Sequence, residues 1–174
     1  MAVVPHEGDK VAVNGKELTW YAVDTKNYNV NLFHFARALN NPTSDVLFWA
    51  VTIVNCPREL RGVRLAIGSN AASVWWVNGR DVTAIYGDRQ TVIHDGISKR
   101  LTLNKGQNIV RAALVNGGGA TDFCARFLDS DDNRPLKGFT VTVKQRPLTT
   151  GRRPIPARVP PRERSFRRLS SPCT

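Results

Sequence analysis

The sequence contains few of the residues from which metal centres and disulfide frameworks are built. It has three cysteines, Cys56, Cys124 and Cys173, and none belongs to a Cys-x-x-Cys pair. An odd count without that spacing indicates neither a zinc knuckle nor a disulfide framework, and a single Cys56–Cys124 bridge is left open. A chain of 174 residues is long enough to bury one core without a covalent staple.

The signatures of common catalytic sites are also missing. His6, His34 and His94 are isolated, and the chain has no Gly-x-Ser-x-Gly elbow, His-Glu-x-x-His pair or phosphate-binding loop. His94 stands before Asp95 and Gly96, a pattern more typical of a turn than of a general base. We therefore predict a protein that is not an enzyme and assign no catalytic residue.

One segment resembles the opening of a calcium loop. Asp129, Asp131 and Asn133 alternate as the first ligands of such a loop do, but Arg134 stands where the loop needs glycine and Thr140 where it needs glutamate. We interpret the segment as a solvated turn. No metal site or cofactor is predicted, and a structural calcium ion is the alternative.

No apolar run is long enough to cross a membrane. The longest, Val46–Val54, has nine residues and is interrupted by Thr52, whereas a transmembrane helix needs about 20. The first seven residues have neither a charged region nor an apolar stretch, so no secretory signal is predicted in this chain. This pattern fits a cytosolic protein or a module taken from a longer exported one.

Positive charge is concentrated near the carboxyl terminus. The chain carries a net charge of +11. Residues 1–144 have 17 Lys and Arg against 13 Asp and Glu, whereas residues 145–174 have eight Arg against Glu163 alone. Six prolines also interrupt this last segment, which has few large apolar residues. Such a segment cannot bury enough surface to offset its ordering entropy, so we predict a disordered basic tail. The alternatives are a nucleic-acid-binding arm and a non-native end.

The body of the chain is patterned for β structure. Asn-Gly pairs at Asn14-Gly15 and Asn78-Gly79 lie between alternating runs, which predicts two hairpins with tight turns. A third hairpin is predicted around the turn 104–107. The run from Asp45 to Asn55 is apolar at nearly every position, which predicts a central strand. One or two helical turns are expected at Phe33–Leu39, and the last strand at Gly138–Val143.

Short strands at this spacing, with hardly any helix, indicate an all-β fold of the antiparallel β-sandwich class. We predict an N-terminal extension at 1–9, a sandwich domain at 10–144 and the tail at 145–174.

A series of short motifs resembles a known group of domains. The motifs are Gly68-Ser69, Trp76-Val77-Asn78-Gly79, Leu103-Asn104-Lys105-Gly106-Gln107-Asn108, Val115-Asn116-Gly117-Gly118-Gly119 and the run 123–129. In this order they resemble the galactose-binding-like β-sandwich accessory domains attached to bacterial secreted glycoside hydrolases and esterases, over roughly residues 10–144. The resemblance implies a jelly-roll sandwich and a carbohydrate-binding or adhesive accessory role.

A ligand site is predicted from two kinds of residue. A sugar site needs a flat apolar face and a few fixed polar groups. Trp75 and Trp76 are adjacent on a strand, so they point to opposite faces and one of them lies outside. The predicted ligand-binding residues are Trp75 or Trp76 with Tyr86 for the apolar face, and Arg89, Asn116 and Asp122 for the hydroxyl groups.

The alternative interpretation of these residues is structural. In it, Asn78 makes the turn, Asp122 pairs with an arginine on the surface, and Tyr86 covers the sheet edge. Trp20 and Trp49 are predicted to lie in the core, because a sandwich interior uses large aromatic residues on alternating strands.

These features lead to one functional hypothesis and two alternatives. We predict a non-catalytic, carbohydrate-binding-like accessory module of a larger exported bacterial protein, secreted or extracytoplasmic, with a polysaccharide and the parent catalytic domain as partners. The first alternative is a structural or protein-interaction spacer without a sugar site. The second is nucleic-acid binding through the arginine-rich tail.

Overall fold

The computed structural model describes residues 4–87, 89–131 and 133–143. Its twelve strands and one helix follow each other in the order β1 (Lys10–Val13), β2 (Lys16–Thr19), β3 (Val30–Asn31), α1 (Leu32–Ala38), β4 (Val46–Cys56), β5 (Leu60–Ser69), β6 (Ala72–Val77), β7 (Arg80–Ile85), β8 (Gly96–Ile97), β9 (Leu101–Leu103), β10 (Gly106–Asn116), β11 (Asp122–Leu128) and β12 (Thr140–Thr142). The predicted all-β class and the short helix are confirmed.

Two antiparallel sheets form the body of the molecule. The first sheet has the strand order β12-β4-β10-β6-β7, and the second has the order β3-β11-β5-β8, with β9 also paired to β5. Side chains from the inner faces of both sheets form one core, in which Leu65, Trp75, Leu114 and Phe127 are buried. This arrangement is the sandwich that the strand pattern predicts.

The strands alternate as sandwich strands do, and one expectation about β4 needs correction. β4 lies inside the first sheet, between β12 and β10, as predicted. However, Leu47 and Trp49 in its first half are 51% and 50% exposed. The apolar run therefore does not mean that both faces of β4 are buried, and the prediction that Trp49 lies in the core is wrong.

The two Asn-Gly hairpins are confirmed. Asn14 and Gly15 have φ values of 50° and 75°, and Asn78 and Gly79 have 52° and 80°, as a turn with two left-handed central residues requires. The first turn joins β1 to β2, and the second joins β6 to β7. Across the second pair the register shifts at Trp75/Trp76, which is a β-bulge.

The third predicted hairpin is wrong. β9 pairs with β5 of the second sheet, while β10 pairs with β4 and β6 of the first sheet. The turn between them therefore carries the chain from one sheet to the other. A local alternation of apolar residues cannot distinguish these two outcomes, because it fixes which side chains face the core and not which strand lies beside them.

A buried asparagine joins this crossover to the β6–β7 turn. Asn108 is 0% exposed. Its Nδ2 donates to the Asn104 carbonyl at 2.8 Å, and its Oδ1 accepts from the Asn104 amide and from Nδ2 of Asn78, both at 2.8 Å. Asn78 Oδ1 in turn accepts from the Ile109 amide at 2.9 Å. Asn78 and Asn108 come from two of the motifs that carry the family resemblance, so those two motifs form one structural unit.

The outer face of the second sheet is covered by the segment 89–95. A Cβ added at Gly68 would lie 2.1 Å from the Val92 carbonyl oxygen and 3.0 Å from Sγ of Cys124. Cys124 is buried under this segment, whereas Cys56 belongs to the core between the sheets. Both cysteines are free thiols, so the disulfide left open by the sequence does not form.

In the described part of the chain, no helix has the length and apolar character needed to span a membrane. The predicted tail, 145–174, lies outside the described residues. The predicted domain boundaries remain predictions.

Candidate functional site

Four of the predicted site residues lie at one end of the sandwich, where loops join the strands. We call this region, residues 70, 86–87, 89–91 and 116–122, the loop end. Asn70 connects its two halves. The Asn70 carbonyl accepts from the Arg89 amide at 3.0 Å, and Asn70 Oδ1 accepts from the Asp122 amide at 2.9 Å. Asn70 therefore links the backbone at Arg89 to the backbone at Asp122.

The polar groups of these two residues are used within the protein. Arg89 donates from Nη1 to the Asp95 carboxylate at 2.9 Å and from Nη2 to the Tyr86 carbonyl at 2.7 Å. The Asp122 carboxylate accepts from Nδ2 of Asn29 at 2.6 Å and from the Thr91 hydroxyl. Asp122 thus holds the loop to β11, and its partners are an amide and a hydroxyl rather than the arginine of the structural alternative.

Tyr86 and Asn116 also belong to the loop end, where Tyr86 is exposed and Asn116 is buried. The Tyr86 side chain is 75% exposed. Asn116 is buried, and its Nδ2 donates to the Thr43 carbonyl at 2.7 Å while its Oδ1 accepts from the Gly118 amide at 3.2 Å. Asn116 and Gly87 also line a small cavity of about 170 Å³. The Asn116 side chain therefore holds the glycine run 117–119 in place through hydrogen bonds.

The two adjacent tryptophans point to opposite faces of β6, as predicted. Trp75 is 3% exposed, packs edge-on against Phe123 with ring centroids 5.5 Å apart, and donates from Nε1 to the Ser73 hydroxyl at 3.1 Å. With its ring buried and its N–H satisfied, Trp75 is a core residue. Trp76 is on the outer face of the first sheet. It lies four residues after Ala72, the residue at which β6 begins beside the loop end.

On that outer face Trp76 stacks against Trp49. The two ring centroids are 5.7 Å apart and the ring planes are inclined by 30°. Trp49 is on β4 and Trp76 on β6, with β10 between them. Ala113 of β10 lies opposite Trp49 in register and is only 8% exposed. Because Ala113 has no side chain beyond Cβ, the two indoles can lean together across the intervening strand.

The stacked indoles belong to a larger apolar surface. Leu47 and Val115 lie opposite each other one row away and are both more than half exposed, and Val74 lies opposite Ala113 on β6. We call this surface the aromatic platform; its members are Leu47, Trp49, Val74, Trp76, Ala113 and Val115. At its edge, Arg111 and Asp81 lie opposite Trp76 on the two neighbouring strands.

Sequence reasoning missed Trp49, the most exposed tryptophan side chain on the platform. The sequence predicts a core position for Trp49 because a sandwich interior uses large aromatic residues on alternating strands. The sequence contained one indication that Trp49 is exposed. Ala113 and Val115 are spaced by two residues on β10, as Leu47 and Trp49 are on β4, and the two pairs lie side by side on the outer face. That signal identifies the outer face only when the pairing of β4 with β10 is known.

At the outer face of the second sheet, three ionisable side chains have pKa values shifted in the direction that favours the neutral form. Burial raises the pKa of the Cys124 thiol and also that of the Tyr28 hydroxyl. Burial and the neighbouring Arg126 lower the pKa of His94. The Arg126 guanidinium lies 4.0 Å from the Tyr28 ring centroid and donates from Nε to its hydroxyl at 2.7 Å. A thiol with a raised pKa is a poor nucleophile at neutral pH.

Among the described residues, no group of three or more His, Cys, Asp or Glu side chains is arranged to hold a metal ion. In the segment that resembles a calcium loop, the Asp129 carboxylate accepts from the Asp131 amide at 2.9 Å. This is the behaviour of a residue that closes a turn.

Comparisons with known proteins give little further information. No protein-family model matches the chain, and no curated protein matches it. One solved structure with a detectable likeness is a β-glucosidase from Kluyveromyces marxianus, with 20% identity and a TM-score of 0.48. The match covers 73% of this chain and 16% of that enzyme, so the chain spans less than a fifth of its length.

Proposed function

We propose that this chain is a non-catalytic module that binds polysaccharide through the aromatic platform. The observation that carries the proposal is the Trp49–Trp76 stack on an open sheet face, with Trp49 half exposed. The module would be a galactose-binding-like accessory domain of a larger exported bacterial protein, in agreement with the family resemblance.

The chemistry of the platform suits a sugar chain better than a small ligand in a pocket. Pyranose rings present C–H groups on their faces, and these pack favourably on aromatic rings. The platform lies on the face of a sheet, so a chain can extend past the tryptophans in either direction. Asp81 is exposed beside Trp76 and would accept hydrogen bonds from hydroxyl groups.

The loop end is the less favourable position for the ligand. The polar groups of Arg89, Asn116 and Asp122 all have partners within the protein. A ligand that used them would have to displace those partners, which costs the hydrogen bonds already made. The proposed sugar site is therefore the platform. Of the ligand-binding residues predicted from the sequence, Trp76 alone belongs to it.

A spacer or protein-interaction role is the second candidate, and one observation favours it. The β1–β2 hairpin stands apart from both sheets, and Val11, Val13 and Leu18 on it are exposed. An isolated two-stranded hairpin is marginally stable in water, so contact with a neighbouring domain would stabilise it. The nucleic-acid alternative involves the tail, which lies outside the described residues.

The platform is tested by removing its two indoles. Trp49→Ala and Trp76→Ala are each expected to weaken binding to an insoluble polysaccharide at least tenfold, which corresponds to about 1.4 kcal/mol. The measurement is a pull-down with microcrystalline cellulose, xylan, mannan and chitin, with folding checked by thermal melting. Tyr86→Ala and Arg89→Ala serve as matched controls at the loop end and should bind like the unaltered protein.

Two results would count against the platform. If the unaltered, folded protein bound none of the four polysaccharides, the spacer role would be favoured. If the protein bound but only the Tyr86 and Arg89 variants lost affinity, the site would lie at the loop end instead.

A further inference from the structure

A second cleft lies at the opposite end of the sandwich from the loop end. It is formed by the turn between β4 and β5, the start of β5, and residues 129–131 and 134–137. Its volume is about 520 Å³. Small-molecule sites in proteins usually occupy roughly 300–1,000 Å³, so the cleft can accommodate one or two sugar rings.

Several cationic side chains lie at this cleft. Arg58, Arg61, Arg134 and Lys137 line it. Arg100 lies beside it and donates from Nη1 to the carbonyls of Ser130 and Gly62, at 2.7 and 3.2 Å. We call the cleft and these side chains the basic cleft.

The acidic residues at the basic cleft form an ion pair or accept hydrogen bonds within the protein. Glu59 forms an ion pair with Arg61. Asp131 accepts from the Ser130 hydroxyl at 2.8 Å, and Asp129 accepts from the Asp131 amide. By contrast, Arg58 and Lys137 are exposed and take part in none of the ion pairs within residues 4–87, 89–131 and 133–143. Among the described residues, the five cationic side chains at the cleft outnumber its three carboxylates, so an excess of positive charge remains.

The floor of the basic cleft is apolar. Val63 is buried, and Leu60 and Leu136 are half-buried and pack against the core. An apolar floor beneath a cationic rim matches a ligand that has both a hydrocarbon face and a carboxylate.

We propose that the basic cleft binds the uronate units of an acidic polysaccharide, with the guanidinium of Arg58 and the ammonium of Lys137 contacting the carboxylate. Charge-assisted hydrogen bonds of this type are stronger than those between neutral groups and weaken as salt is added. The site is separate from the aromatic platform, so it stands or falls independently of the function proposed above.

The test compares polygalacturonate with neutral galactan by isothermal titration calorimetry. We expect the unaltered protein to bind polygalacturonate at least tenfold more tightly at low salt, with the advantage falling as sodium chloride is raised. The double variant Arg58→Gln/Lys137→Gln should lose that advantage. The matched control Lys16→Gln/Lys26→Gln removes the same charge from exposed positions elsewhere and should keep it.

Three results would overturn the proposal. The first is equal affinity of the unaltered protein for both polymers, and the second is an equal loss in the two double variants. The third is binding of a single-stranded DNA oligomer that displaces polygalacturonate and is lost in the Arg58/Lys137 variant, since the cleft would then be a nucleic-acid site. Binding of cellulose or xylan by the same samples reports on the platform alone, so the two sites can fail separately.

Discussion

Replacement of Asn108 with alanine is expected to lower the free energy of unfolding by about 3–5 kcal/mol, among the largest effects of any single substitution. Asn108 is fully buried and both of its side-chain atoms are bonded to Asn104 and Asn78. Alanine would leave the amide and carbonyl of Asn104 and the Nδ2 of Asn78 without these partners. The check is urea unfolding followed by fluorescence.

A neighbouring residue provides the control for Asn108. Gln107 is exposed, so Gln107→Ala should change the unfolding free energy by less than about 0.5 kcal/mol. The isosteric variant Asn108→Asp should also be strongly destabilised at neutral pH, because a carboxylate cannot donate to the Asn104 carbonyl and would be buried with its charge. A loss below about 1 kcal/mol in Asn108→Ala would show that the network contributes little.

Gly68→Ala is expected to destabilise the protein by about 2–3 kcal/mol through steric overlap. An added Cβ would lie 2.1 Å from the Val92 carbonyl oxygen, which is backbone and cannot swing aside as a side chain would. The segment 89–95 would have to move away from the second sheet, and this would strain the contact between the Thr91 hydroxyl and Asp122. Thermal melting and hydrogen exchange of this segment would measure both effects.

The control for Gly68 is another glycine. A Cβ added at Gly117 meets nothing within 4 Å, so Gly117→Ala should leave the melting temperature within about 2 °C of the unaltered protein. Equal stability of the Gly68 and Gly117 variants would mean that the covering segment does not press on β5 as the structure has it.

The parts of the fold that follow from local chemistry were predictable from the sequence. Asn14-Gly15 and Asn78-Gly79 adopt the left-handed backbone that their turns require, and few other residue pairs do so at low cost. The side-chain alternation in β11 likewise places Phe123 and Phe127 in the core. Each of these features depends on residues that are near one another in the chain.

The parts that depend on distant pairing were not predictable. β9 and β10 are separated by two residues, yet they belong to different sheets, because β9 finds its partner in β5. The exposure of Trp49 depends similarly on which strand lies beside β4 and on the small side chain of Ala113. Sequence patterns specify a buried or an exposed face only after the neighbours are known.

The candidate site shows the same division. Arg89 and Asp122 are assigned to one site from the sequence, and Asn70 is the residue that links them in the structure. Asp122 accepts hydrogen bonds from Asn29 and Thr91, and both of these residues lie far from it in the sequence. The sequence therefore indicated where polar residues would meet, and it did not indicate that they would satisfy one another.

The central claim, that sugar binds on the aromatic platform, is tested most directly by the indole N–H signals of the tryptophans. Titration of ¹⁵N-labelled protein with soluble hexasaccharides of cellulose and of xylan should shift the Nε1–H resonances of Trp49 and Trp76 progressively. The resonance of Trp75, which is buried and bonded to Ser73, should stay in place. Binding that leaves Trp49 and Trp76 unmoved, or that shifts only amides of the loop end, would contradict the claim.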